Sequence, residues 1–464
     1  MQNEPGRNTT IDVARAFSVF VVVLFHGLIF QASVGPDGAL QAQLWAPPTW
    51  VWGLSWLLMS MPLFFACGGF ANALIVDKMR RRGTGFSHYL ANRGRRLTGG
   101  LTLFVTVFAV IATVAAWVGY PSLAAELSRS LMFLLWFISV YLVIVLFAPL
   151  MVRLHDRFGA WVIVAMLLGI VVVDRAWIGF GRNDIGQINM FLVWPLCHQL
   201  GIGYQRGWFR EGPARRTWAI LLAAAGAIAV LIAFFGYPAS AVGFANAPRA
   251  NHLPPTLAMA LLGVAQVAAL GLVERSGVFA RLSPRAEARL AKLSALMMTV
   301  YLWHVPCLLI GAAALLLAAM VLPMAAPVFL AQATVLGVGV GLILVLVPLI
   351  GLVEYWLIPP LGTSQDRYLA LLSYVLMIAG AMLVWRHGTV LHPAYPGSTL
   401  GVVAIWAGTW TMVRASRPVG VARSADDLLK PQRGPAARRA GETPLRAGIS
   451  PEAEAPGEMV ERIR

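Results

Sequence analysis

Charged side chains are scarce in this chain. Asp, Glu, Lys and Arg together make up 12% of 464 residues, against 59% apolar residues, and soluble domains carry roughly twice that charge fraction. So little charge cannot cover a soluble body of this length. Lysine is almost missing, with Lys78, Lys292 and Lys430 the only three among 36 basic residues, a composition that points to a GC-rich, bacterial genome. Cysteine is limited to Cys67, Cys197 and Cys307, all inside apolar stretches; their spacing excludes a disulfide framework and matches no metal motif. Strict apolar–polar alternation is absent as well, which excludes a transmembrane barrel. The first apolar run opens on Asp12 and Arg15 and lacks a small-residue cleavage site, so it is expected to stay in place as a signal anchor.

What the chain has is apolar runs of about 20 residues, each long enough to cross a hydrocarbon layer roughly 30 Å thick. They fall near residues 11–31, 53–76, 99–119, 130–151, 160–173, 188–205, 217–236, 256–273, 293–317, 328–353, 369–385 and 400–413. The expected fold is an all-α polytopic bundle of about twelve transmembrane helices. The net charge of +16 invites a nucleic-acid reading, but its distribution answers differently. Only Arg129, Arg175, Arg182, Arg249 and Arg386 fall in one set of alternate loops, and the remaining 31 of 36 basic residues lie at the termini or in the other set. This positive-inside pattern reports topology, with both termini cytoplasmic, and no nucleic-acid partner is expected. The chain is expected to sit as a multi-pass protein in the plasma (inner) membrane, in contact with lipid. From about Arg417 the composition turns to Pro, Ala, Arg and Glu, so 415–464 is expected to be a disordered cytoplasmic tail, and 1–9 a short cytoplasmic N-terminus.

Ionisable groups inside a span are costly and each needs an explanation. The first run holds Asp12, Arg15 and His26. Arg15 and His26 are eleven residues apart, about 1,100° around a helix and about 20° from eclipsed, so they share one face about 16 Å apart along the axis. Asp12 lies one turn before Arg15. Asp12 and Arg15 can be read as an interfacial ion pair anchoring the helix, or as part of a site. His26 suits proton transfer near neutral pH, with a packing hydrogen bond as the plainer reading. The loop 77–96 carries seven basic residues, including Arg80, Arg81 and Arg82 in a row and the cluster Arg93, Arg95 and Arg96. Guanidinium forks bind phosphate oxygens bidentately, although basic residues after a span are also what topology alone requires. His198 lies four residues after Trp194, and His304 three after Tyr301. Each pair shares a helix face, lining a substrate pocket or packing helices together. His88, His155, His252, His387 and His392 are expected in loops, without a role.

Four of these stretches together resemble the acyltransferase-3 family. Thr10–His26 reads TIDVARAFSVFVVVLFH and satisfies that family's basic residue followed, after ten intervening positions, by histidine, here Arg15 and His26. Arg93-Gly94-Arg95-Arg96 matches its cytoplasmic Arg-x-x-Arg. Phe64–Phe70, FFACGGF, resembles its Phe-Phe-x-x-Ser-Gly-Phe helix, with Gly68 standing where the serine is usual. Tyr301–Pro306, YLWHVP, resembles its Tyr-x-x-His-x-Pro element, and Glu354 stands where the family has an acidic residue after the next helix. The resemblance spans residues 10–360, leaving 361–414 as two additional transmembrane helices. It implies an acyltransferase moving an acyl group, acetyl being commonest, from cytoplasmic acyl-CoA to a hydroxyl of a cell-envelope carbohydrate or related acceptor, with no metal. On that reading Arg93, Arg95 and Arg96 bind the cofactor, and His26, with Arg15 and Asp12, is catalytic as general base or transient acyl carrier. The pocket residues are then His304, Tyr301, His198 and Trp194. The acceptor is a glycan or lipid-linked molecule, and the acyl group could also pass to a partner protein of envelope biosynthesis. Intramembrane Asp, Arg and His also fit a proton-coupled small-molecule transporter, the alternative that charge placement alone supports.

Overall fold

A computed structural model of the chain describes residues 8–34, 40–280, 282–357, 361–364 and 366–418. Residues 1–7 of the expected N-terminal segment and 419–464 of the expected tail lie outside the described residues. Helix α1 (Thr9–Ile29) runs into a hairpin of β1 (Phe30–Val34) and β2 (Leu40–Leu44), paired antiparallel with Phe30 opposite Leu44. Then come α2 (Thr49–Leu58), α3 (Met61–Arg82), α4 (Phe86–Trp117), α5 (Pro121–Leu131), α6 (Leu135–Phe158) and α7 (Ala160–Asp174). A single turn α8 (Asn183–Gly186) leads to α9 (Val193–Gln205), α10 (Ala214–Phe234), α11 (Leu257–Ser276) and α12 (Pro284–Val321). The chain closes with α13 (Ala326–Phe329), α14 (Gln332–Leu357), β3 (Leu361–Ser364), α15 (Arg367–His387), α16 (Pro396–Ala415) and β4 (Ser416–Pro418), which pairs with β3.

Every apolar run identified in the sequence is helical. Ten stretches among the described residues are long and apolar enough to cross a membrane. Two runs fall outside that set: α16, and α9, whose 13 residues reach only about 20 Å. Helix α9 is a buried helix instead, with every residue from Leu196 to Tyr204 shielded by its neighbours. Local signals set the helix ends. Asn8 accepts from the Ile11 amide at 3.1 Å and donates to Glu274 at 3.0 Å, fixing the start of α1 against the end of α11. Ser283 accepts from the Ala286 amide at 3.3 Å, followed by Pro284 at the first helical position of α12, the arrangement that suits orphan amides at a helix start.

The end of the bundle holding the start of α1 is tied by charge. Arg206 donates to Asp77 at 2.6 Å and to Asp156 at 2.9 Å, and Arg80 reaches Asp156 at 2.7 Å. These bonds join α3, α6 and the turn after α9, and the Asp77 carboxylate, with Asp156, holds Arg206 above its ordinary value. Arg80, one of the three arginines in a row, thus has a protein partner. At the far end, Asp174 is buried and accepts from Asn189, Tyr237 and the Leu257 amide, each at 2.7 Å. That carboxylate, at the end of α7, pins three segments of the chain.

Between these ends, α3 and α9 pack backbone to backbone. A Cβ at Gly69 would lie 1.9 Å from the His198 carbonyl oxygen, and one at Gly201 would lie 1.8 Å from that of Ala66. Small residues allow such approach where lipid removes the hydrophobic drive between helices. Gly68 differs, since a Cβ there would meet Tyr141 at an ordinary 3.4 Å. Gly69→Ala is therefore expected to destabilise the bundle by at least the 1–3 kcal/mol typical of overpacking, while Gly68→Ala leaves it nearly unchanged. Thermal unfolding of the two variants in the same detergent measures the difference.

Candidate functional site

Two buried polar clusters lie at different depths of the bundle. The first forms around Arg93, in the first third of α4. Its guanidinium donates through one terminal nitrogen to Asn72 Oδ1 on α3. The Asn72 amide in turn donates to His198 Nε2 on α9 at 2.9 Å. This relay exists because Gly69, one turn before Asn72, lets α3 and α9 touch. The tautomers follow from the bonds. Nε2 of His198 accepts, so the proton sits on Nδ1, which is buried and has no partner. Arg93 Nε is likewise a buried donor without a partner, as is the indole nitrogen of Trp194, which stacks on Phe65 with ring centroids 5.1 Å apart. Arg93 was expected in a loop facing the aqueous phase; it sits on a helix with its guanidinium turned toward other helices. The backbones of Arg95 and Arg96 continue that helix, and their side chains lie outside the described residues.

The second cluster forms around His26, in the last turn of α1. Its Nδ1 lies 2.8 Å from the Val22 carbonyl. A carbonyl only accepts, so Nδ1 carries the proton and Nε2 keeps the lone pair. His304 on α12 sits beside it, ring centroids 5.0 Å apart and nearly perpendicular. Its Nδ1 donates to the Tyr301 carbonyl at 2.7 Å, and its Nε2 is buried without a partner. Tyr301 packs against the same histidine at 5.9 Å, and its hydroxyl is committed to the Leu134 carbonyl at 2.9 Å. The pocket predicted from sequence therefore divides: His304 and Tyr301 accompany His26, and His198 and Trp194 accompany Arg93.

Asp12 and Arg15 occupy the opposite end of α1 from His26, both half-buried. Glu354, near the end of α14, accepts from Thr299 at 2.8 Å and stands against Gly100 of α4. Its other oxygen is buried and unpartnered. A groove of about 560 Å³ opens beside the start of α12, lined by Val13, Ser283, Arg285, Arg289, Leu290 and Leu293. No group of His, Cys, Asp or Glu among the described residues has the geometry of a metal site.

Three residues escaped the sequence reading. Asn72 is an amide in an otherwise apolar run, and that isolation is the signal that marks it. His155 lies on α6 rather than in a loop, its Nδ1 3.1 Å from Gln199 of α9. His252 lies in the connection between α10 and α11. It is half-buried, and the Ala241 backbone holds its ring while Nδ1 is shut off without a partner. Burial, with the neighbouring titratable group His26 adding to it, pulls its pKa from 6.5 down to about 4. Nothing in its local sequence distinguishes it from the other loop histidines.

A family model described as an acyltransferase domain matches residues 8–347, so the match takes in both clusters. No curated protein and no solved structure matches the chain.

Two outcomes test these placements. Asn72→Leu removes the partner of a buried guanidinium and of His198, and is expected to cost about 2 kcal/mol, read as a lowered melting temperature in detergent. For His252, the unfolded chain takes up a proton near pH 6.5 and the folded chain only near 4. The folded state therefore binds fewer protons in that window and loses stability as pH falls through it. The melting temperature should drop between pH 6.5 and 4, and drop less in His252→Phe.

Proposed function

The chain belongs to the acyltransferase-3 family and is a multi-pass membrane acyltransferase; from that premise we propose that it moves an acetyl group from acyl-CoA on the cytoplasmic side to a hydroxyl of a cell-envelope carbohydrate or related acceptor. The observation that carries this reading is a division of unsatisfied hydrogen-bonding groups between the two clusters. Near Arg93 the buried groups without partners are donors: Arg93 Nε, His198 Nδ1 and Trp194 Nε1. Donors suit a ligand rich in acceptor oxygens, which acyl-CoA is, with its phosphates and carbonyls. Near His26 the free imidazole nitrogens, those of His26 and His304, are lone pairs, which suit a ligand that brings O–H groups.

The arginine-rich end is the cytoplasmic one in this proposal, consistent with the positive-inside pattern. Arg93, with Arg95 and Arg96 beside it on α4, receives the nucleotide end of the donor, and the thioester arm extends between the helices toward His26. His26 Nε2 then takes the proton of the acceptor hydroxyl as its oxygen attacks the thioester carbonyl. The C–O bond of the ester forms, the C–S bond breaks, and the proton passes from the imidazolium to the departing thiolate. The Val22 carbonyl keeps the reactive nitrogen in its basic tautomer throughout. Arg15, about 16 Å from His26 along α1, and Asp12, about 21 Å from it, orient the donor or set the charge of its path. Lipid surrounds the bundle, and the acceptor reaches it from the opposite side or from the membrane.

Inverted membrane vesicles supplied with acetyl-CoA labelled in the acetyl group test the proposal. Wild type should place label in an alkali-labile ester, and His26→Ala at matched protein level should do so at least about 10²-fold more slowly. Full transfer by His26→Ala would remove the base assignment. No transfer by either protein, with no coenzyme A binding, would remove the donor assignment.

A further inference from the structure

Residues 237–255, the connection between α10 and α11, fold back over the far end of α1 and are held there by bonds that do not involve His252. Trp56 Nε1 donates to the Ala239 carbonyl at 2.9 Å, and the Ala241 amide donates to Ser55 Oγ at 3.0 Å. Asn251 Nδ2 donates to the carbonyls of Pro238 and Ser240 at 2.7 and 2.8 Å. The Ala245 amide meets the Trp45 carbonyl at 3.0 Å, and the ring of Phe244 packs edge-on against Phe25, the neighbour of His26, at 6.0 Å. The connection is therefore an ordered cover over the His26 cluster, and it brings His252 within electrostatic reach of His26.

We propose that His252 is a third histidine of the transfer site, accepting a hydrogen bond from a second hydroxyl of a polyhydroxylated acceptor and so holding the first hydroxyl against His26. The inference rests on the acyl-transfer reading above and extends it to the acceptor. Its basis is a repeated arrangement. In His26, His304 and His252 the main chain holds the ring, through the carbonyls of Val22 and Tyr301 and through Ala241. In His304 and His252 the other nitrogen is buried and unsatisfied. A buried acceptor without a donor is unfavourable, and neither neighbouring imidazole can satisfy it while each keeps its proton on a carbonyl. A ligand offering several O–H donors on adjacent carbons fits such a group, and a monohydric alcohol fits it less well. Burial keeps His252 neutral at physiological pH, so its lone pair stays available. Because the connection is fastened by Ser55, Trp56, Asn251 and Trp45, loss of the His252 imidazole leaves the cover in place.

The test uses the full-length protein in detergent micelles with acetyl-CoA as donor and methyl α-glucopyranoside as acceptor probe, comparing wild type, His252→Phe and His252→Asn. Loss of one hydrogen bond predicts that His252→Phe raises the KM for the sugar about tenfold, with coenzyme A affinity unchanged. His252→Asn, which returns a polar atom near the position of Nδ1, should recover most of the loss. An unchanged KM in His252→Phe, or an equal loss of coenzyme A affinity, would overturn the proposal. Equilibrium binding of the sugar without donor, followed by tryptophan fluorescence, separates this inference from the transfer reading. Binding that weakens in His252→Phe sustains the acceptor contact even where wild type transfers no acetyl group, and binding that is equal in both, or absent from wild type, overturns it.

Discussion

The contact between α3 and α9 is the constraint on which the interior depends. Helices ordinarily pack with axes 8–10 Å apart, and small residues at the contact let two backbones come closer. Gly69 and Gly201 remove the two side chains that would hold these helices at that distance. Asn72 then reaches His198, and its oxygen is left facing α4 to receive Arg93. A guanidinium inside a bundle is tolerated where something accepts from it. Asn72 is a neutral partner, so the charge of Arg93 is solvated by an amide rather than cancelled by a carboxylate. It is left able to attract an anion.

The same economy governs the histidines. A carboxylate partner would fix an imidazole's tautomer and also favour its protonated form. The carbonyls that hold His26 and His304 fix the tautomer with a dipole alone. His198 is set the other way round, accepting from an amide at Nε2 and presenting its proton at Nδ1. One residue type thus serves as hydrogen-bond donor in one cluster and as acceptor in the other, decided by the group behind the ring. This opposition gives the bundle a chemical direction, with acceptor-rich ligands favoured at one depth and hydroxylic ones at the other.

The topology was legible because a membrane imposes it. Hydrocarbon thickness sets the length of each run, and the runs read from composition coincide with helices from Thr9 to Ala415. His26 and His304 stood out in the sequence because ionisable groups inside apolar runs are rare, whereas Arg93 was read as a loop residue and its burial on α4 was not legible. The relations between buried groups were not legible either. Asn72 and His198 are 126 positions apart, and the Leu257 amide and Asp174 are 83 apart. No periodicity encodes such pairings. The division of the predicted pocket into two clusters depends on depth, which helix faces do not report. His252 was illegible for a further reason: the connection that carries it is held in place by Trp45, Ser55 and Trp56, from a different part of the chain.

Helices α15 and α16 show why a family match and a physical unit need not share boundaries. The match ends at residue 347, yet these helices clasp α4 on both sides of Arg93. The hydroxyl of Tyr374 donates to the Leu90 carbonyl at 3.2 Å, one turn before it. The side chain of Met412 fills the space above Gly94, directly after it. Further along, Thr102 meets Thr409 at 2.6 Å, and Trp406 donates to Thr106 at 2.9 Å. In lipid, apolar packing alone gives little preference for one rotation of a helix over another, because the tails are as apolar as the side chains. Polar bonds between spans do give that preference. Three such bonds, with the Met412 packing contact, fix the rotation of α4, and that rotation decides whether Arg93 points at Asn72 or at the membrane. The last two helices therefore belong to the site in the sense that matters energetically: they hold the orientation of the helix that carries the buried charge.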